Sequence, residues 1–366
     1  MHMTHSNLFS PYSFKGLDLK NRIVMAPMTR QFSPGGTPGQ NVADYYTRRA
    51  KGNVGLIITE GTVIERPASK NEEGIPNFYG AALDGWRKVV DSVHAEGGLI
   101  APQIWHTGAI YGNDPAWKPT PMDSPSGIAP DGTPVGQPMT ETDIADTIAA
   151  FGRAAASAKG IGFDAIELHG AHGYLIDEFF FAGSNKRDDQ WGGATVGERT
   201  RFAAEVIKAA RAAVGPDFPI IIRLSQFKPN AYDAKVAATP AEMEQWLTPL
   251  VDAGADVIHA SQRRFWEPEF DGSDLNFAGW AKKITGKPTI TVGSVGLTGE
   301  FIAGFGGEVS NPASLDKLLE RLDRGDFDLV AVGRAILSDP EWVDKIRTGE
   351  TDTLKSFDRS LLANLT

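Results

Sequence analysis

Short, almost wholly apolar runs alternate with longer amphipathic stretches along the whole chain. Eight such runs stand out, at residues 23–26, 54–59, 99–104, 163–168, 220–224, 257–260, 289–292 and 329–332. A run without polar interruptions predicts a strand covered on both faces, as in a parallel sheet. Between the runs, stretches rich in Ala, Glu, Lys, Arg and Leu predict helices, among them 82–95, 141–158, 197–214, 240–252 and 312–324. In the last of these, Leu315, Leu318, Leu319 and Leu322 recur at helical spacing. Thr239, Pro240 and Glu242 supply a cap residue, a proline at the first helical position and an early acid.

Eight strand–helix units predict an α/β fold, a (β/α)8 TIM barrel formed by residues 1–366 as one domain. A doubly wound open sheet is the alternative, and the absence of an early Gly-x-Gly-x-x-Gly turn weighs against it. The glycines at 304, 306 and 307 do not follow a strand directly and read as turn residues. One connection is unusually long. Residues 107–139, which include Trp117, are rich in Pro, Gly and Asp and show no regular period. Leaving the third strand at its C-terminal end, this excursion is expected to cover part of the barrel mouth.

Composition narrows the possibilities. A length of 366 residues fits a barrel with insertions, and 41% hydrophobic with 22% charged residues is ordinary for a globular protein. The net charge of −10 disfavours nucleic acid and anionic membranes as partners. There are no cysteines, so disulfides, thiolate metal sites, cysteine-ligated clusters and cysteine nucleophiles are excluded together. No apolar run approaches a membrane span, and the first residues do not resemble a secretory signal, so a cytoplasmic location is expected.

In such a barrel the chemistry sits at the C-terminal strand ends. The fourth run is followed by His169, His172 and Tyr174, where two neutral imidazoles could hold one oxyanion and a phenol could donate a proton. The other ends carry Ala26, Pro27, Met28 and Thr29; Gly61; Gln103 and Trp105, followed by His106; Arg223; His259; Gly293 and Ser294; and Gly333 and Arg334. Glycines beside the seventh and eighth strands would let backbone amides approach a phosphate, with Arg334 adding a cationic fork. Gln103 and Arg223 suit the edge of a planar heterocycle. Together these resemble the parts of a flavin mononucleotide site.

Seven motifs in order carry a resemblance to a family. They are the segments 21–30, 57–61, 103–105, 169–175 and 184–193, together with Arg223-Leu224-Ser225 and Val332-Gly333-Arg334. From Phe9 to about Pro340 the chain resembles the old yellow enzyme family, in the branch bearing threonine rather than cysteine at the position of Thr29. The resemblance implies non-covalent FMN, with NADH or NADPH as a transient reductant. It also implies reduction of activated C=C bonds in enones, imides or nitroalkenes, extending to nitrate esters and nitroaromatics. By position, Thr29 matches the residue on the flavin C4 oxygen. Ala26, Pro27, Met28, Gly61, Gln103 and Arg223 match flavin contacts, and Gly293, Ser294, Gly333 and Arg334 match the phosphate end. His169 and His172 match the pair binding the substrate oxygen, Tyr174 the proton donor and Trp105 the pocket wall.

Other readings remain beside this one. His169 and His172 at His-x-x-His spacing could serve a metal-dependent barrel hydrolase, although no His-x-His occurs at the first strand. A non-catalytic, flavin-binding redox sensor would share the same site. Phe265 and Trp266, after the sixth strand, are expected as exposed-loop aromatics that line the substrate channel. Asn185, Lys186, Arg187, Asp188 and Asp189 read as a structural loop with internal ion pairs. Gln226, where the family more often has proline, leaves the loop 226–236 open, and 298–311 reads as an expansion at the phosphate end. A monomer or homodimer with a small-molecule substrate, and no metal, is expected.

Overall fold

A computed structural model describes residues 7–112, 121–229 and 231–366. Trp117 and the rest of 113–120 lie outside them. The chain opens with a hairpin of β1 (Tyr12–Phe14) and β2 (Leu17–Leu19). Its two-residue turn places Lys15 at φ 43° and Gly16 at φ 76°, the primed-turn geometry that matches strand twist. Strands this short leave no periodicity to read, and the hairpin was not among the predicted elements.

Eight strands then close a wholly parallel barrel. They are β3 (Ile23–Met25), β4 (Leu56–Val63), β5 (Ile100–Trp105), β6 (Ile166–Gly170), β7 (Ile220–Ser225), β8 (Val257–Ser261), β9 (Thr289–Val292) and β10 (Leu329–Val332). The predicted TIM barrel is the observed fold. The second and fourth strands begin later than predicted and run further, so Gly61 and His169 lie inside strands rather than beyond them. A register shift between Ile58 and Gly61 bulges β4 against β5.

Helices cover the outside. Predicted helices 82–95 and 240–252 are found at those bounds, the latter with a capping box between Thr239 and Glu242. The helix expected over 197–214 is interrupted at Thr200 into Val196–Arg199 and Arg201–Val214. The one expected from 312 begins only at Asp316. Gly304 lies inside a short helix, Phe301–Phe305, rather than in a turn. No helix among the described residues is long and apolar enough to cross a membrane.

Because strand side chains alternate, the barrel has two cores. One joins the outward strand residues to the helices. The other fills the interior with Val24, Leu56, Ala101, Ala165, Ile221, Val257, Ile290 and Leu329, closed from the hairpin side by Leu17 and Leu19. Two positions further along β5 to β8, the same inward face turns polar and carries Gln103, Glu167, Arg223 and His259. Two further still it carries Trp105, His169, Ser225 and Ser261. The period of two thus builds two polar tiers above an apolar plug.

Candidate active site

The upper tier is a cluster of rings. Trp105 and His169 stack with centroids 5.7 Å apart. Tyr174 stands edge-on to Trp105 at 4.7 Å and lies 5.0 Å from His169. His172 is 5.4 Å from His169 and nearly perpendicular to it. Gly61 makes room for this arrangement, since a Cβ there would lie 2.4 Å from Trp105 Cε3.

Backbone contacts set which ring nitrogens can donate. The Ala171 N–H donates to His169 Nδ1 (3.3 Å), so the neutral ring carries its proton on Nε2. His172 adopts a left-handed φ of 63°, with its N–H donating to Ser225 Oγ (2.9 Å) and its Nε2 2.9 Å from Ser261 Oγ. With the Ser261 hydroxyl donating, the outward proton of His172 is on Nδ1. Burial, followed by the Arg223 charge, holds both imidazoles well below the usual histidine range. Burial also pushes the Tyr174 phenol up to about 12, against a smaller pull from Arg223. Two neutral donors and a protonated phenol therefore share one end of the barrel.

The turn that presents them is anchored from below and capped from above. Gly173 N–H donates to Asp177 (2.6 Å), and Asp177 pairs with Lys228 at 2.7 Å, both side chains fully buried. Replacing Lys228 with methionine leaves a buried carboxylate alone, which costs about 3–5 kcal/mol. Urea unfolding of Lys228→Met should show that loss, and the double variant Asp177→Asn, Lys228→Met should recover most of it. On the other side, a Cβ on Gly173 would meet Pro130 Cγ at 3.4 Å and Ile110 Cδ1 at 3.6 Å. Both residues belong to the long excursion after β5. Asp123 in that excursion is held by His106 at 2.9 Å and by Arg66 at 3.1 Å. The segment 185–189 ties it further: Arg187 pairs with Asp189, and its Nη1 donates to the carbonyls of Pro125 and Met139.

The lower tier is a polar row across four strands, in which Glu167 joins Gln103 and His259 by hydrogen bonds. Gln103 Nε2 donates to Glu167 Oε1 (2.9 Å), and His259 Nδ1 lies 2.6 Å from Glu167 Oε2. Arg223 stands in the field of Glu167, buried, with its Nε unpartnered. His259 Nε2 is likewise buried without a partner. Unpaired buried donors and acceptors are costly, and these two nitrogens, in the same tier as Gln103, suit a polar ring edge.

Around the remaining rim, Ala26 and Pro27 are buried, Met28 half-buried and Thr29 exposed. Glu60 holds that loop by accepting the N–H groups of Arg30 (2.8 Å) and Gln31 (3.0 Å), and burial raises its carboxyl to about 7. Gly333 faces the same floor, because a Cβ there would lie 3.5 Å from Met28 Sδ and 3.7 Å from Ala26 Cβ. Gly293 has φ 143°, and a Cβ would clash with the Gln262 carbonyl at 2.5 Å. Ser294 spends its hydroxyl on the Arg263 and Gly299 carbonyls.

Three expectations need correction. The Arg334 fork is not free: Nη2 donates to Gly299 O (2.7 Å) and Nη1 to Glu300 O (3.0 Å) and Ser310 Oγ (3.3 Å). The expanded segment 298–311 has taken it over. Phe265 is buried in the helix-side core, where its N–H donates to Gly293 O, and Trp266 packs edge-on against it. Neither makes a ring contact with the His169–His172–Tyr174 cluster. Phe227, from the loop after β7, joins Trp105 in contacting the cluster, 5.4 Å from His172. Gln226 makes that loop possible by bonding Val236 N, Ala237 N, Ala237 O and Glu269 through its buried amide. Glu167, Ser225, Ser261 and Phe227 thus join the site beyond the sequence expectation. Among the described residues, no three His, Cys, Asp or Glu side chains stand where they could hold a metal ion.

Comparison with known proteins fixes the family. Residues 7–302 match the NADH:flavin oxidoreductase / NADH oxidase family. A 12-oxophytodienoate reductase 7 from Oryza sativa subsp. japonica is 33% identical over 93% of this chain and 87% of its own. An NADPH dehydrogenase from Bacillus licheniformis is 33% identical over 93% of this chain and 94% of its own. The structure of morphinone reductase in complex with tetrahydroNAD superposes with a TM-score of 0.79 at 28% identity, covering 97% of this chain and 94% of that one.

The chain belongs to the old yellow enzyme family. As an old yellow enzyme it is an FMN-dependent, NAD(P)H-using oxidoreductase. The residues present fit that cofactor. Arg223 and His259 offer unpaired buried nitrogens, Gln103 has a free amide oxygen, and the tight backbone at Gly293 leaves no room for a side chain.

Proposed function

We propose that this old yellow enzyme reduces activated C=C bonds, taking enones, enals, imides and nitroalkenes, and extending to nitrate esters and nitroaromatics. The observation that carries the reading is the upper tier: two neutral imidazoles and a protonated phenol directly above a polar tier suited to a flavin edge. FMN, when bound, supplies two-electron hydride chemistry. Gln103 and Arg223 would hold its pyrimidine edge, and Ala26, Pro27, Met28, Thr29 and Gly61 would frame the ring. Backbone amides at Gly293, Ser294, Gly333 and Arg334 would meet its phosphate.

The side chains then divide the work on the substrate. His169 Nε2–H and His172 Nδ1–H hydrogen-bond the carbonyl or nitro oxygen and stabilise the negative charge that grows there. Tyr174 keeps its proton at neutral pH and delivers it to the carbon opposite hydride attack. Trp105 and Phe227 wall the pocket. Ile110 and Pro130 of the excursion cap the His172–Tyr174 turn and exclude water. The nicotinamide ring of NADH or NADPH uses the same pocket before the alkene arrives, so each must leave for the other. The protein works as a monomer or homodimer.

Anaerobic incubation with NADPH and 2-cyclohexenone should yield cyclohexanone in amounts matching the nicotinamide consumed. Nicotinamide consumed only when oxygen is admitted, with no cyclohexanone formed, would contradict the reading.

A further inference from the structure

Glu167 is the one buried charge in the lower tier that the proposed mechanism leaves unused. Its side chain has no solvent exposure. It sits among three neighbours drawn from three other strands: Gln103 on β5, Arg223 on β7 and His259 on β8. Registers set this meeting, since Gln103 pairs with Glu167 across β5 and β6, and Arg223 with His259 across β7 and β8. Two of the three neighbours are proposed to touch the flavin.

We propose that Glu167 is a positioning residue that orients Gln103 and partly neutralises Arg223, and so sets the redox balance of the bound flavin. The orientation argument is geometric. With Nε2 donating to a carboxylate oxygen at 2.9 Å, the Gln103 amide cannot flip, because its own oxygen would then face that carboxylate. Gln103 Oε1 is left as a fixed acceptor for a ring N–H. The charge argument is electrostatic. Arg223 alone would favour the electron-rich form of the flavin strongly in a site this dry. Glu167 opposes it from within the same tier. His259 does not cancel Glu167, because burial, ahead of its attraction to Glu167, favours the neutral ring. The net charge beside the ring edge is therefore close to zero rather than +1. Such a balance suits a cofactor that must be reduced by one ligand and reoxidised by the next.

The inference rests on the proposed seating of the flavin against Gln103 and Arg223, and the test separates the two. Wild type, Glu167→Gln, Glu167→Asp and Arg223→Ala holoenzymes are compared by anaerobic spectroelectrochemical titration and by FMN dissociation. Glu167→Gln loses the charge, and its preference for reduced over oxidised FMN should rise about tenfold, equivalent to about 30 mV for a two-electron couple. Glu167→Asp keeps the charge but cannot span Gln103 and His259 together. Its potential should stay near wild type while FMN dissociates about tenfold more readily. Arg223→Ala should shift the potential downward.

If Arg223→Ala leaves potential and spectrum unchanged, the seating itself is wrong, and this inference falls with it. If Arg223→Ala responds but Glu167→Gln does not, only the role of Glu167 is overturned. Should Glu167→Gln fail to fold, Glu167→Asp decides alone: weakened FMN at an unchanged potential supports the proposal, and native affinity or a shifted potential overturns it.

Discussion

Replacing His169 and His172 together with alanine should slow the oxidative half-reaction with 2-cyclohexenone by about a hundredfold to a thousandfold, the usual range for removing preorganised donors from a developing oxyanion. The geometry makes this the largest single effect. Both rings are neutral, both have one nitrogen committed to the protein, and both keep one N–H for the substrate. The same variant should lose most of its affinity for phenolates, whose oxygen uses the same two donors, and with it the long-wavelength charge-transfer band. Stopped-flow reoxidation and a phenol titration read the two effects separately. Flavin reduction by the nicotinamide should change far less, because no oxyanion forms in that step. A phenolate band of native strength in the double variant would remove the histidines from the oxyanion role.

Tyr174→Phe should give the second-largest effect, and a selective one. Loss of a positioned general acid is expected to slow enone reduction by about a hundredfold or more. Nitrate ester reduction, which needs no proton on carbon, should stay close to wild type. The ring cluster with Trp105 and His169 survives the substitution, so a change in pocket shape is not the cause. With the phenol titrating at about 12, it stays protonated throughout the working range. The histidines, held below their usual range, stay neutral over the same interval. In a Glu60→Gln background, which removes the rim carboxyl near 7, the rate of enone reduction should therefore be flat from about pH 6.5 to pH 9, checked by stopped-flow across that interval. A rise or fall following an ordinary histidine titration would show that one of the rings is not buried neutral.

The barrel was legible because parallel strands buried on both faces leave apolar runs, and eight of them recur. The cluster after the fourth run was legible because polar residues directly behind such a run must stand at the barrel mouth. What escaped reading depended on distant partners. Glu167 shares the short run 163–168 with a second acid, Asp164, and its own partners lie 64 and 92 residues away. Phe227 reaches His172 only because the Gln226 amide closes a loop onto residues 10 and 11 positions further on. Phe265 and Trp266 were misplaced because position after a strand says nothing about which way a loop folds. There the Phe265 N–H bonded to Gly293 turns the ring inward. Arg334 was correctly placed by its strand, but its fork depends on segment 298–311, which brings carbonyls to it.

The central claim is that one pocket passes electrons from a nicotinamide to an activated alkene through FMN. The most direct test is a single anaerobic titration of the purified protein followed by its visible spectrum. One equivalent of NADPH or NADH should bleach the flavin absorbance, and one equivalent of 2-cyclohexenone should then restore it fully. A protein that cannot be loaded with FMN, or a bleached flavin that the enone fails to reoxidise, would contradict the account.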